Sequence, residues 1–188
     1  MWLDVGAHYG YTAMALAQLV GGEGRVFAFE PSLTTAGYLN RTRRLNGLDQ
    51  IIVVPLGLGK PGGIRMLSVP MERGMANHAS GTRVFDTIYV VGLDELRDSL
   101  SMPRIDGVKI DVQGMELEAL TGMARTLKDE SPKLVIEFHS GVPRGPIVDC
   151  LRMAGYQLPA KPIGRALTGP AGAYLNDESY VFESQQRT

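Results

Sequence analysis

Asp4, Gly6 and Gly10 stand in the order Asp-x-Gly-x-x-x-Gly after a short apolar run, and Glu30 follows twenty residues past the last of these glycines. Glycines at such a turn allow positive φ and a close approach of backbone to a ligand. An acidic side chain at Glu30's distance can accept hydrogen bonds from both hydroxyls of a ribose. His8 takes the place of the middle glycine of a dinucleotide loop, which argues against a pyrophosphate seated on the helix that follows, and so against NAD. Asp4 beside the turn would repel a phosphate and attract an amine or a sulfonium. S-adenosylmethionine meets all three demands, with a turn-capping aspartate as the plainer alternative for Asp4.

A second group of residues could act on an acceptor. Asp111 closes an apolar run, where a carboxylate can orient a hydroxyl or take its proton; its plainer role is to cap the helix starting near Met115. Glu116 needs no function beyond the preference of a first helical turn for acids. Glu137 and His139 flank Phe138 and so share one face of a strand, as a joint base or orienting pair. Asp111, Glu137 and His139 offer hard and imidazole ligands for a divalent cation, yet no dense ligand motif is present and no metal is expected. His78, beside Met71, Met75 and Asn77, could line an acceptor pocket or stand in a solvated loop. Arg41, Arg43 and Arg44 read as a solvated face. Tyr9, Tyr11 and Trp2 could pack around an adenosine or belong to the core.

These residues need a frame, and the pattern of the chain supplies one. Residues 2–5, 25–29 and 51–55 read as strands separated by helices over 11–20 and 33–45, a βαβαβ opening. Pro31-Ser32 offers the second helix a turn and an N-cap hydroxyl, and Asn46-Gly47 a left-handed close. Strands over 87–91, 108–112 and 134–138 alternate with helices over 93–100, 115–127 and 145–155, and closing strands are expected near 156–158 and 179–183. Consecutive apolar residues at 51–54, 108–112 and 134–136 suit a sheet covered on both sides. The fold class is therefore α/β, doubly wound and mostly parallel, with helices on both faces. Residues 60–87 break the pattern and are expected as a lid or insertion, irregular apart from a turn at 60–63 and an extended run over 64–69. Residues 1–183 form one domain, and 184–188 a polar tail.

Composition excludes much else. The chain has 188 residues, 44% hydrophobic and 21% charged, with a net charge of −1, which fits one globular domain and argues against nucleic acid as partner. Cys150 is the only cysteine, so an intrachain disulfide and a cysteine zinc cluster are excluded, and a reducing, cytoplasmic location is expected. No apolar run is long enough to span a bilayer, so no membrane partner is expected. Neither a serine nucleophile elbow nor a phosphate-binding lysine loop occurs.

Asp4-Val5-Gly6-Ala7-His8-Tyr9-Gly10-Tyr11-Thr12, Val26-Phe27-Ala28-Phe29-Glu30-Pro31, Leu45-Asn46-Gly47-Leu48, Leu93-Asp94-Glu95-Leu96, Lys109-Ile110-Asp111-Val112-Gln113-Gly114-Met115-Glu116 and Val135-Ile136-Glu137-Phe138-His139 resemble, in order and spacing, the FkbM-type S-adenosylmethionine-dependent methyltransferases. The resemblance implies a seven-stranded Rossmann-like sheet, S-adenosylmethionine as cofactor with S-adenosylhomocysteine as product, and O-methylation of a small-molecule or glycan-like acceptor. Asp4, Gly6, His8, Gly10, Glu30 and Pro31 are the candidate cofactor residues, and Asp111, His139 and Glu137 the candidate catalytic ones. The family usually has Glu where this chain has Gln113 and Asn where it has His8, and its members carry segments upstream of the first strand. A cofactor-binding protein with lost or partner-dependent activity is the alternative those departures suggest. A nucleic-acid methyltransferase using the arginine cluster is a weaker one.

Overall fold

The structure, a computed structural model, describes residues 1–70, 85–100, 102–163 and 174–185. The first strand, β1 (Trp2–Val5), leads through the glycine turn into α1 (Tyr11–Val20), followed by β2 (Val26–Phe29), α2 (Leu33–Leu45) and β3 (Ile51–Val54). Three strands then form a small sheet of their own: β4 (Gly57–Leu58), β5 (Arg65–Pro70) and β6 (Phe85–Val91). The remaining elements are α3 (Leu93–Leu100), β7 (Gly107–Ile110), α4 (Glu116–Gly122), α5 (Ala124–Glu130), β8 (Lys133–Phe138), α6 (Arg144–Met153), β9 (Lys161–Pro162) and β10 (Glu178–Phe182).

The main sheet has seven strands in the order β3-β2-β1-β7-β8-β10-β9. Strands β3 to β8 run parallel, and β10 lies antiparallel between β8 and β9. The strand order reverses between β1 and β7, where a doubly wound sheet opens a crevice for ligands. Strand alternation sends Leu3, Val5, Phe29, Val108, Ile110, Leu134, Ile136 and Phe138 into one core with Leu120, Leu127, Ile147 and Leu151 of the helices. The opposite face packs Val26, Ala28 and Ile51 against Ala13, Leu16 and Ala17 of α1 and Leu39 of α2. By the same alternation Asp4, Lys109 and Glu137 project from that second face.

Several expectations change at the level of elements. The helix expected over 115–127 is two helices that break at Met123, whose side chain is fully buried. Gly122 explains the break, because a Cβ there would sit 1.8 Å from the Gly59 carbonyl oxygen; the chain must turn where two backbones touch. The strand expected at 156–158 is replaced by a single bridge from Tyr156 to Ser184, and the sheet edge is β9 instead. Ser184, expected to open the polar tail, is buried. The extended run expected over 64–69 is present as β5, which pairs antiparallel with β6 from Arg65↔Val90 to Pro70↔Phe85. The stretch 71–82, with His78, lies outside the described residues. Ser32 holds the N-cap position of α2, but its hydroxyl makes no capping bond. The close of α2 is as expected at Gly47, with φ 63°, where the Gly47 and Leu48 amides donate to Arg44 and Arg43 carbonyls, the paired bonds of a Schellman close.

Candidate active site

The glycine turn is tied to the end of β2. Gly6 and Ala7 both donate backbone N–H to the Phe29 carbonyl, at 3.0 and 2.9 Å. Gly6 has φ +84°, and a Cβ there would lie 1.9 Å from the Asp111 carbonyl oxygen, so only glycine lets the turn after β1 lie against the end of β7. His8, itself at φ 50°, donates its backbone N–H to Glu30 Oε2 at 2.9 Å, and Ser32 N–H reaches Oε1 at 3.0 Å. Glu30 is buried, and burial raises its pKa although both amides and His8 favour the charged form. Each of its oxygens keeps a lone pair for a further donor. The Pro31 ring lies beside β4, 3.5 Å from where a Cβ on Gly57 would stand.

Asp4 is the anomaly of this turn. It is fully buried, and neither carboxylate oxygen closes a hydrogen bond of full geometry. Burial pushes its pKa up to about 6, with Lys109 and the Ala13 amide opposing and Asp111 and Glu30 reinforcing the rise. A buried polar group without a partner costs about 1–3 kcal/mol.

Across the crevice, Asp111, Glu137 and His139 converge. Asp111 follows β7, Glu137 stands near the end of β8, and His139 is one residue past it. His139 Nε2 lies 2.7 Å from Asp111 Oδ1 and 3.9 Å from Glu137 Oε1. Burial alone would raise the Asp111 pKa, but the Lys109 ammonium at 2.7 Å and His139 together hold it below the ordinary carboxylate value. Burial alone would lower that of His139, but Asp111, Asp177 and Glu137 outweigh it and hold the imidazole above its usual value. The cluster is only partly shielded from solvent.

Three participants are not singled out in the sequence: Lys109, Asp177 and Ser179. Lys109 was legible, because it sits two residues before Asp111 and so on the same strand face. Asp177, 3.3 Å from His139 Nδ1, and Ser179, whose hydroxyl donates to Glu137 Oε2 at 3.3 Å, come from the far end of the chain with no local pattern to betray them. Glu116, read as a simple first-turn acid, is fully buried; Oε1 accepts the Gly114 N–H at 3.0 Å and Oε2 has no partner. Arg43 of the arginine trio is engaged by Asn40 and Asp49. Tyr11 and Tyr9 are largely exposed, and Tyr9 packs on His8 and Tyr38.

A mostly parallel sheet with a glycine turn at its switch point, and with a buried carboxylate and a polar cluster on the neighbouring strand ends, defines a Rossmann-like fold. Residues 4–158 match the methyltransferase FkbM domain, and the chain belongs to that family. It is 33% identical over 145 residues to the hexuronic acid methyltransferase AglP of Haloferax volcanii, a match covering 76% of this chain and 56% of that protein. Methyltransferase FkbM from Methylobacillus flagellatus superposes with a TM-score of 0.64 at 21% identity, over 96% of this chain and 42% of that one. Aeropyrum pernix fibrillarin, solved with natively bound S-adenosyl-L-methionine, has the same fold, with a TM-score of 0.58 at 13% identity over 97% and 65% of the two chains. The chain thus spans about half the length of the FkbM-type relatives it matches. Among the described residues no helix is long and apolar enough to cross a membrane.

Proposed function

We propose that this chain binds S-adenosylmethionine across the carboxyl ends of β1 and β2 and directs its methyl group to a hydroxyl oxygen of a carbohydrate-like acceptor. The observation that carries this reading is the convergence of Asp111, Glu137 and His139 beside a turn that still has donors and acceptors to satisfy. The residues fit the cofactor: Asp4 is a buried carboxylate lacking a partner, suited to an ammonium, and Glu30 can accept two ribose hydroxyls. Gly6 and Gly10 let the turn settle against the end of β7 and against Leu39 of α2, where a Cβ would stand 1.9 Å from the Asp111 carbonyl oxygen and 2.1 Å from Leu39 Cδ1. When bound, the cofactor supplies a methyl group already activated by its sulfonium.

The protein's task is then to place the acceptor oxygen and to accept its proton. Glu137 Oε1 and Asp111 Oδ1 present acceptors for an incoming hydroxyl and for the proton it loses, and His139 fixes the Asp111 carboxylate through the 2.7 Å contact of its Nε2. Lys109 and Asp177 hold these groups from outside. The hexuronic acid methyltransferase among the relatives favours an acceptor of the sugar-acid kind, and a cytoplasmic location fits the single unpaired cysteine.

Calorimetric titration with S-adenosylhomocysteine, with NAD as control, tests the cofactor half without knowledge of the acceptor. The expected result is one site for S-adenosylhomocysteine, none for NAD, and at least ~10-fold weaker binding in Glu30→Ala, in line with the loss of a charge-assisted hydrogen-bond pair. A folded chain that binds neither ligand would overturn the assignment.

A further inference from the structure

Asp111, Glu137 and His139 each offer a ligand atom within 4.8 Å of the others, His139 Nε2 lies 2.7 Å from Asp111 Oδ1 and 3.9 Å from Glu137 Oε1, and each side chain's other polar atom is held from outside. Asp111 Oδ2 accepts from Lys109 Nζ at 2.7 Å, Glu137 Oε2 accepts from the Ser179 hydroxyl at 3.3 Å, and His139 Nδ1 meets Asp177 Oδ1 at 3.3 Å. Three ligand-bearing side chains converge, and a separate partner fixes each of them. Metal centres are assembled in this way: a ligating His gives its other ring N–H to a carboxylate, and ligating carboxylates are themselves hydrogen-bonded. We propose that Asp111, Glu137 and His139 form a binding site for a divalent cation of the Mg²⁺ or Mn²⁺ class.

The donor set selects that class. Two carboxylates and one imidazole are hard to borderline ligands, with no thiolate to favour a softer ion. Three carboxylates (Asp111, Glu137 and Asp177) and one ammonium, Lys109, surround the imidazole, leaving an excess of negative charge. Asp4, buried and unpartnered on the same face of the sheet, adds to it and is close enough to repel Asp111. The 2.7 Å contact between His139 Nε2 and Asp111 Oδ1 is where a proton now does what the cation would do. The sequence offers these three residues as possible ligands but no dense ligand motif, because they arrive from the ends of two separate strands, and on that ground no metal is expected from it.

Three protein ligands leave about half of an octahedral shell open for water or substrate oxygens. Two neighbouring oxygens of a sugar, or a hydroxyl and the carboxylate of a sugar acid, would close a chelate there, and a hydroxyl so bound gives up its proton more readily. The acceptor's part in this rests on the methyltransferase reading; the cation site does not.

The test is titration of the full chain with MnCl₂ alone, following loss of the free Mn²⁺ paramagnetic resonance signal. One Mn²⁺ per chain is expected. Affinity should fall at least ~10-fold in Glu137→Gln and His139→Gln, and ~10–100-fold in Asp177→Asn, the usual cost of losing an outer partner. Cooperative thermal unfolding of each variant shows that it is folded, and the exposed Asp177 carries the test should either inner variant fail to fold. Mn²⁺ left free up to about 1 mM, weaker than the weakest ordinary protein sites, or binding that these substitutions leave unchanged, would overturn the proposal. Mn²⁺ binding without S-adenosylhomocysteine binding would remove the transferase reading and keep the cation site; the converse would remove the site and keep the transferase.

Discussion

Asp4 has its carboxyl pushed up to about 6, chiefly by burial, from an ordinary value of 3.8. The folded chain therefore holds this proton more tightly than the unfolded chain does. The stabilisation from protonated Asp4 is complete below about pH 4 and is lost as pH rises through about 6. A shift of this size corresponds to ~3 kcal/mol. Asp4→Asn removes the ionisable group, so the variant should match the parent in melting temperature near pH 4 and exceed it near pH 8, while binding S-adenosylhomocysteine more weakly. Melting curves of both proteins across that range check the sign. A variant less stable than its parent at pH 8 would mean that the ionised carboxylate has an internal partner.

At the scale of elements, the break between α4 and α5 shows what periodicity can and cannot reveal. Leu117, Leu120, Ala124 and Leu127 keep helical spacing through Met123, so one helix is the natural reading. The interruption comes from contact with backbone distant in sequence, just past β4 and β6, where a Cβ on Gly122 would meet the Gly59 carbonyl and the Gly92 Cα. Gly122→Ala should cost about 3 kcal/mol, the upper range for forcing atoms into a packed site, visible as a lower urea midpoint; a change under about 0.5 kcal/mol would mean that α4 slides to make room. The same division runs through the site. Asp4, Gly6, Gly10, Glu30, Asp111, Glu137 and His139 could be picked out because each ends a strand or opens the turn after one, and strand ends are readable from local pattern. Asp177 and Ser179 could not, since their roles depend on β10 returning antiparallel beside β8, a pairing set by the sheet as a whole. The short edge β9 and the bridge at Tyr156 escaped for the same reason. Ser32 closes no capping bond through its hydroxyl and instead gives its backbone N–H to Glu30 Oε1, a contact that residue preference does not contain.

Across the whole molecule, the cofactor reading places the ligand on one half of the sheet. Asp4 lies in β1 and Glu30 directly follows β2, whereas β10 and β9 lie beyond β8 at the far edge. A ligand that binds only the folded state stabilises it by ~2.7 kcal/mol at one hundred times its dissociation constant, and amides that exchange by local opening near the ligand register this first. Hydrogen exchange with and without S-adenosylhomocysteine should therefore show its largest slowing at Gly6, His8 and Ser32, whose N–H groups already hold the turn to Phe29 and Glu30. Amides of β9 and β10 should change little unless they open only through global unfolding. Slowing centred on β8 to β10 would move the cofactor to the side of the crevice now given to the acceptor, and Asp111, Glu137 and His139 would then have to be reinterpreted as cofactor contacts.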